Sequence, residues 1–325
     1  MQQISRRLFV AAITAAGFTG AAVAADPTFP ARQVTMVVPF PAGNVSDTLA
    51  RHVAAKLNKK WNVPVVVENV QGASGTIGIL KALRSPADGY TIFLGALGAA
   101  VIAPAVQSPS PYDPKVDLVA LTYAAPVPLL LLSHPSVPAN SVAELVKYAK
   151  ENPGKLSYAS LGVGSTPHLA MEMFKEWAGI DMVHVPYKGS AQASTDLLSG
   201  RVQLILDTVP PVLPHVRSGK LRALAVTGTR RIGAAPEVPS LAEVGMKDAD
   251  VSPWTGFFTN KGVPEPVLQQ LSVDLRSVLD DADTRSSLAT LGLDVSSSSR
   301  GDFQKFVSAE ADKWGDAIRK HKDGK

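Results

Sequence analysis

The chain has 325 residues, no cysteine, and a formal net charge of +4. Disulfides are therefore excluded, and a chain of this length can bury enough apolar surface to fold without them. The positive charge is not concentrated on one segment, which argues against a nucleic-acid-binding protein.

Residues 1–25 have the pattern of an export signal. Arg6 and Arg7 precede an apolar or small-residue run over 11–22, and Ala22-Val23-Ala24 is a small-x-small cleavage site. The Ser-Arg-Arg-x-Phe start also resembles a twin-arginine signal. The run is shorter than the about 20 residues of a membrane-spanning helix, which disfavours an anchor. Cleavage leaves 32 − 2 = 30 basic against 28 acidic residues, a net charge of +2.

Strand and helix patterns then alternate along the chain. The first unit is predicted from strands at 34–38, 63–68 and 90–94 and helices at 46–61 and 75–83, an order typical of a parallel sheet covered by helices. The pattern repeats with strands at 128–133, 156–159, 182–185, 204–206 and 221–227 and helices at 141–152, 168–179 and 190–199. A strand at 254–258 and helices at 266–279 and 302–320 follow.

These patterns predict two α/β domains in series. We place the second domain at 126–250. The first domain then combines 26–125 with 251–325, because the C-terminal helices have to return to it.

Three small-residue loops lie where ligands bind in open parallel sheets, at the carboxyl ends of strands. They are residues 39–47, 71–76 and 162–166, and each opens a helix. The N–H groups at a helix start carry partial positive charge and can hold an anion without a basic side chain. One such loop alone could serve only backbone geometry, but three on successive units favour a ligand site.

Enzyme motifs are incomplete. No phosphate-binding or dinucleotide-binding glycine motif is present, and both Ser74 and Ser165 miss the serine-hydrolase pattern by one residue. Ser165 and His168 could approach each other at a helix start, but no acid is placed to orient the histidine. The six histidines lack metal-ligand spacing. We therefore expect no enzyme, no metal and no cofactor.

Three side chains keep two interpretations each. Asp47 can cap a helix or contact a ligand, Asp207 can face a cleft or end a strand, and Phe40 can wall a pocket or plug a strand end. The whole pattern fits a solute receptor that closes two lobes on a small anion.

Several motifs together resemble one family. They are Pro39-Phe40-Pro41-Ala42-Gly43 with Ser46-Asp47, Gly72-Ala73-Ser74-Gly75, Asp88-Gly89-Tyr90-Thr91, and the segments 152–160, 184–189, 219–227 and 238–240. In this order they are similar to the Bug family, the extracytoplasmic solute receptors of tripartite tricarboxylate transporters.

This resemblance implies a two-lobed Venus flytrap fold of the periplasmic binding proteins. Its parallel or mixed sheets would be flanked by helices, and the chain would cross between the lobes twice. A small carboxylate would lie in the cleft. The resemblance assigns its first-lobe contacts to Phe40, Ala42, Ser46, Asp47, Ser74, Gly75 and Thr76, and its second-lobe contacts to Ser165, Thr166, His168 and Asp207.

The chain departs from the family pattern at Asn44, where a second glycine is usual, and at Asn69-Val70-Gln71. Asn tolerates positive φ, so we expect the loop to form and Asn44 to shift the ligand preference.

The resemblance also implies a monomeric periplasmic protein with membrane transporter subunits as partners. Its ligand would be a dicarboxylate, an amino acid or an aromatic acid, and Asp207 could accept from an amine or a hydroxyl group. Two alternatives stay open: a receptor that signals without transport, and an exported hydrolase that uses Ser165 and His168.

Overall fold

The computed structural model describes residues 29–187, 189–246, 251, 253–289 and 292–323. The predicted export signal lies outside these residues. Ten strands are described: β1 (Val34–Val38), β2 (Val65–Asn69), β3 (Thr91–Ala96), β4 (Leu118–Pro126), β5 (Leu129–Ser133), β6 (Ser157–Ser160), β7 (Val183–Pro186), β8 (Leu204–Thr208), β9 (Arg222–Val226) and β10 (Trp254–Asn260).

Helices cover both sheets that these strands form. They are α1 (Val45–Trp61), α2 (Thr76–Leu83), α3 (Ala103–Val106), α4 (Val142–Glu151), α5 (Thr166–Ala178), α6 (Ser190–Leu198), α7 (Val209–Arg217), α8 (Glu265–Leu279), α9 (Ala282–Ala289) and α10 (Arg300–Asp323). A 3₁₀ turn at Ala73–Gly75 precedes α2, and a π-helical turn at Gly98–Ile102 precedes α3. In the described part of the chain, no helix has the length and apolarity needed to cross a membrane.

The two sheets are mixed and have five strands each. The first has the order β2-β1-β3-β10-β4, with β1 parallel to β2 and β3 and with β10 antiparallel to both of its neighbours. The second has the order β7-β6-β8-β5-β9, with β5 antiparallel to β8 and β9. The predicted two-lobed α/β fold is confirmed.

The chain crosses between the sheets at two adjacent places. It leaves the first sheet after Pro126 and returns to it at Trp254, and the Val127 N–H donates to Pro253 O at 2.7 Å. The C-terminal helices lie on the first sheet, where the Ala120 N–H donates to Gln304 Oε1 at 3.0 Å and the Ser272 hydroxyl donates to Leu121 O at 2.8 Å. The lobe boundaries at 125/126 and 250/251 stay predictions.

Elements with strong local signals lie within a few residues of their predicted ranges. Strand β4 and helices α3, α7 and α9 were not predicted. Helix α7 contains three prolines, and Pro210 and Pro211 are tolerated because the first helical turn has no intrahelical acceptor for their missing N–H groups. Strand β4 is fixed by its antiparallel pairing with β10, more than a hundred residues later in the chain.

Candidate ligand-binding site

The first two small-residue loops, 39–47 and 71–76, follow β1 and β2 and contact each other. The second loop also contacts the segment that follows β3. Gly75, at the start of α2, lies against Pro39 and Ala99. A Cβ atom built on Gly75 would be 2.6 Å from Ala99 Cβ and 3.4 Å from Pro39 Cβ. Glycine is required here because its φ of +95° is left-handed and no space exists for a side chain. The start of α2 is thereby packed against Pro39 of the first loop.

The carboxylate of Asp47 joins the first two loops. Its Oδ2 accepts from Gly43 N at 2.8 Å and from Arg51 Nε at 2.9 Å, and its Oδ1 accepts from Asn69 Nδ2 at 2.8 Å. Asn69 Nδ2 also donates to Phe40 O at 3.1 Å. Asp47 is only 3% exposed. Its carboxylate therefore ties the first loop to the last residue of β2, and its predicted ligand contact stays a prediction.

The electrostatics of Asp47 favour the ionised form. Burial by itself would raise its pKa, but the hydrogen bonds from Arg51, Gly43 and Asn69 and the charge of Arg51 together lower the pKa below its usual value. The charge that organises the loop is therefore already neutralised by Arg51. Asp47 is therefore not an unpaired carboxylate at the start of α1.

Asn44 is the N-cap of α1. Its Oδ1 accepts from Asp47 N at 2.8 Å, and its φ is −80°. The expectation that this position draws on the tolerance of Asn for positive φ was therefore wrong, since Gly43 carries the left-handed φ of +82°. The cap uses the Asp47 N–H, and the N–H groups of Val45 and Ser46, at the buried helix start, have no intrahelical acceptor.

Replacing the cap tests what Asn44 contributes. Asn44→Gly is expected to lower the free energy of unfolding by a few tenths of a kcal/mol and Asn44→Ala by about 1 kcal/mol, because glycine is a fair N-cap and alanine is a poor one. Urea unfolding measures both variants. Titration of Asn44→Gly with a panel of carboxylates tests the predicted shift in ligand preference, and unchanged affinity and selectivity would contradict that shift.

The second loop has a strained backbone. Gly72, Ala73, Ser74 and Gly75 all have positive φ, and for Ala73 and Ser74 these angles are 46° and 56°. Such conformations persist only where the surroundings fix them, and they cluster at ligand sites. Ser74 is exposed, as is Ala42 in the first loop. The hydroxyl of buried Thr76 accepts from Gln107 Nε2 at 3.0 Å.

The third loop, in the second lobe, turns tightly into α5. The Ser165 hydroxyl donates to Gly162 O at 2.7 Å, so it does not cap the N–H groups of the helix start. His168 Nδ1 accepts from Gly164 N at 3.3 Å. Both contacts are those of a helix-start turn, and they give no support to a nucleophile–base pair of Ser165 and His168.

Two histidine rings and a serine hydroxyl contact this loop. The His168 ring packs at a tilt of 44° against His184 with centroids 4.4 Å apart, and His184 Nε2 lies 2.6 Å from Ser160 Oγ. Ser160 Oγ in turn accepts from Gly162 N at 3.1 Å. Burial lowers the pKa of His184. His184 is thus a support of the loop that the sequence interpretation did not single out.

Asp207 is the penultimate residue of β8 and is buried. One carboxylate oxygen accepts from the Ser190 hydroxyl, and the other accepts from Thr208 N at 2.7 Å. Asp207 is 3% exposed, and burial raises its pKa despite the hydrogen bonds from Ser190 and Thr208. The carboxylate joins the starts of α6 and α7, and its predicted contact with a ligand amine or hydroxyl group stays a prediction.

The two lobes meet around these loops. Val45, at the start of α1, lines a narrow crevice together with Val127 of the crossover and with Thr208 and Val209 of the second lobe. Gly98, after β3, lies against Thr166 at the start of α5. The sequence interpretation missed Val45, Gly98 and Ser190. The available signal for Gly98 was a glycine in the small-residue segment that follows the predicted strand at 90–94.

The predicted site residues lie in loops close to the contacts between the lobes, at Val45 beside Thr208 and at Gly98 beside Thr166. Phe40 is half-buried and packs against the apolar core of the first lobe, where it helps to close the end of β1. Ser46, Asp47, Gly75 and Thr76 are buried on the first-lobe side, and Ser165 and Asp207 are buried on the second-lobe side. Among the described residues, no His, Cys, Asp and Glu cluster is arranged to hold a metal ion.

Comparison with known proteins agrees with this architecture. Residues 49–322 match the family model described as the tripartite tricarboxylate transporter family receptor. The chain is 35% identical to protein BugT of Bordetella pertussis over 300 residues, which are 92% of each protein.

Two similar solved structures contain a bound small molecule. Rpa4515 of R. palustris, solved with adipate, has a TM-score of 0.83 and 35% identity, covering 90% of this chain and 97% of its own. MatC (Rpa3494) from Rhodopseudomonas palustris, with bound malate, has a TM-score of 0.79 and 29% identity. The match covers 89% of this chain and 100% of MatC. With the two-lobed fold and the family match over most of its length, the chain belongs to the TctC or Bug family of periplasmic solute-binding receptors.

Proposed function

We propose that this protein captures a small carboxylate between its lobes and delivers it to the membrane subunits of a tripartite tricarboxylate-type transporter. The carrying observation is the pair of helix starts that follow β1 and β2, where Ser46 of α1 and Gly75 before α2 are both buried and Gly75 packs against Pro39 of the first loop. Aligned peptide dipoles make such helix starts favourable for an anion. The cradle therefore needs no lysine or arginine of its own.

The second lobe supplies the other side of the site. The start of α5 has no side-chain cap, and Thr166 faces the first lobe there. Adipate and malate, which the two similar proteins hold, make dicarboxylates the first ligands to test. The protein would work as a periplasmic monomer, exported by a cleaved signal over residues 1–25.

Calorimetry on unfolded and refolded protein tests this function, because refolding removes ligand carried over from the host. The panel contains adipate, malate, amino acids and aromatic acids, each beside its amide. We expect a one-to-one heat with one acid and none with its amide, since the amide lacks the charge that the helix starts attract. Silence across the whole panel, with native circular dichroism, would contradict the proposal.

A further inference from the structure

Gly98 and Thr166 form a contact between the lobes. A Cβ atom built on Gly98 would be 2.7 Å from Thr166 Oγ1 and 3.9 Å from Thr166 Cβ. Gly98 does not have a left-handed φ, so backbone conformation does not require a glycine there. The close approach of Thr166, which belongs to the other lobe, is the physical reason for a residue without a side chain.

The contact stands between the helix starts that the proposed function uses. Ala99, next to Gly98, packs against Gly75 at the start of α2, and Thr166 is the first residue of α5. Beside it, a Cβ atom on Gly164 would be 3.2 Å from Val106 Cγ2. The second-lobe loop therefore rests on the segment after β3 at two neighbouring points, next to the second loop of the first lobe.

We propose that Gly98 and Thr166 are a closure contact, through which the lobes close and the α2 and α5 helix starts are held together around the ligand. This inference rests on the proposed function. A side chain at position 98 acts as a wedge. Thr166 must then either rotate, which moves its hydroxyl, or withdraw, which opens the cleft.

A cysteine pair tests the contact without knowledge of the ligand. The 3.9 Å separation between Gly98 and Thr166 Cβ positions lies within the about 3.5–4.5 Å range of disulfides. The chain has no native cysteine to compete. Under mild oxidation, G98C/T166C is expected to lose both free thiols while it stays monomeric.

The control pair is G301C/T166C. No atom lies within 4 Å of a Cβ built on Gly301, so Thr166 is not beside it. We expect both thiols of this pair to stay free in the monomer. If wild-type protein binds adipate or malate and G98C/T166C keeps its thiols under the same oxidation, the closure contact is refuted.

A mutant cycle tests the link to ligand binding. Gly98→Ala is expected to weaken adipate or malate binding roughly tenfold, because overpacking a close contact is unfavourable. In a Thr166→Ala background, Gly98→Ala is expected to have no further effect, because removal of Oγ1 leaves only the ordinary 3.9 Å contact. In a Thr166→Ser background, which keeps the oxygen, the tenfold loss should remain.

The outcomes separate this inference from the proposed function. Cross-linking of G98C/T166C, with no heat from any carboxylate in the wild-type panel, would support the contact and contradict the function. Equal effects of Gly98→Ala in the wild-type and Thr166→Ala backgrounds would remove the coupling to ligand binding. Circular dichroism of every variant distinguishes these results from misfolding.

Discussion

Asp47→Asn is expected to lower the free energy of unfolding by about 2–3 kcal/mol and ligand affinity at least roughly tenfold. The carboxylate receives hydrogen bonds from Gly43 N, Arg51 Nε and Asn69 Nδ2. An amide in its place turns one acceptor into a donor, which then faces another donor. The tether between the two first-lobe loops is lost, and Arg51 loses its ion pair.

The effect depends on pH in a direction that the pKa fixes. The pKa of Asp47 is lower in the folded protein than the value of about 3.9 expected in the unfolded chain. Its stabilising contribution is therefore fully present above that unfolded value and is lost as the pH falls through the folded value. The difference between wild type and Asp47→Asn should be constant from about pH 5 to 8 and shrink below about pH 4.

Urea unfolding across pH, together with calorimetry, measures both effects. The matched control is Asp316→Asn, which removes the carboxylate of an exposed ion pair with Arg319. That pair lies on the surface and is expected to contribute less than about 1 kcal/mol. Equal losses for the two variants, or a difference that does not change below pH 4, would show that Asp47 does not organise the loops.

Gly75→Ala is the second substitution with a large expected effect. It is expected to lower the free energy of unfolding by about 3 kcal/mol and to abolish measurable carboxylate binding. Two penalties combine, the left-handed φ of +95° and the collision with Ala99 at 2.6 Å. The methyl group of Ala99 is short and cannot rotate away, so the π-helical turn or the start of α2 has to move.

Gly43→Ala separates the two penalties. Gly43 has a similar φ of +82°, but a Cβ atom there would meet nothing within 4 Å. We expect it to lose only about 1 kcal/mol, the strain of a left-handed alanine. Gly75→Ala with Ala99→Gly should recover part of the binding, because the colliding atom is removed. Equal losses for Gly75→Ala and Gly43→Ala would contradict the packing argument.

Local sequence signals predict many of the strands and helices without any tertiary contact. Strand β1 is an uninterrupted apolar run, and α1 follows a capping asparagine with apolar residues four apart, Leu49, Val53 and Leu57, all buried. Alternation of such elements predicts layered α/β units. The three glycine-rich loops likewise predict a ligand site at the strand ends, because parallel strands place their carboxyl ends along one edge of a sheet.

The roles of single site residues could not be obtained in this way. The sequence allowed Asp47 to be a cap or a ligand contact, and it gave no sign that Asn69, which is distant in the chain, donates to the Asp47 carboxylate. The sequence likewise allowed Asp207 to face a cleft or to end a strand. It gave no sign that the carboxylate accepts hydrogen bonds from Ser190 and Thr208. A carboxylate next to a loop has the same local sequence pattern whether it holds the backbone or faces a ligand.

The sequence by itself therefore determined the order of most elements and the two-lobed class, because periodicity and helix-start signals act over a few neighbouring residues. Only the tertiary structure decided that β10 lies between β3 and β4, that Asp47 joins two loops, and that Gly98 meets Thr166. These features depend on which distant segments come within a few ångströms of each other. The packing of the whole chain decides which distant segments meet, and the spacing of neighbouring residues carries no signal for it.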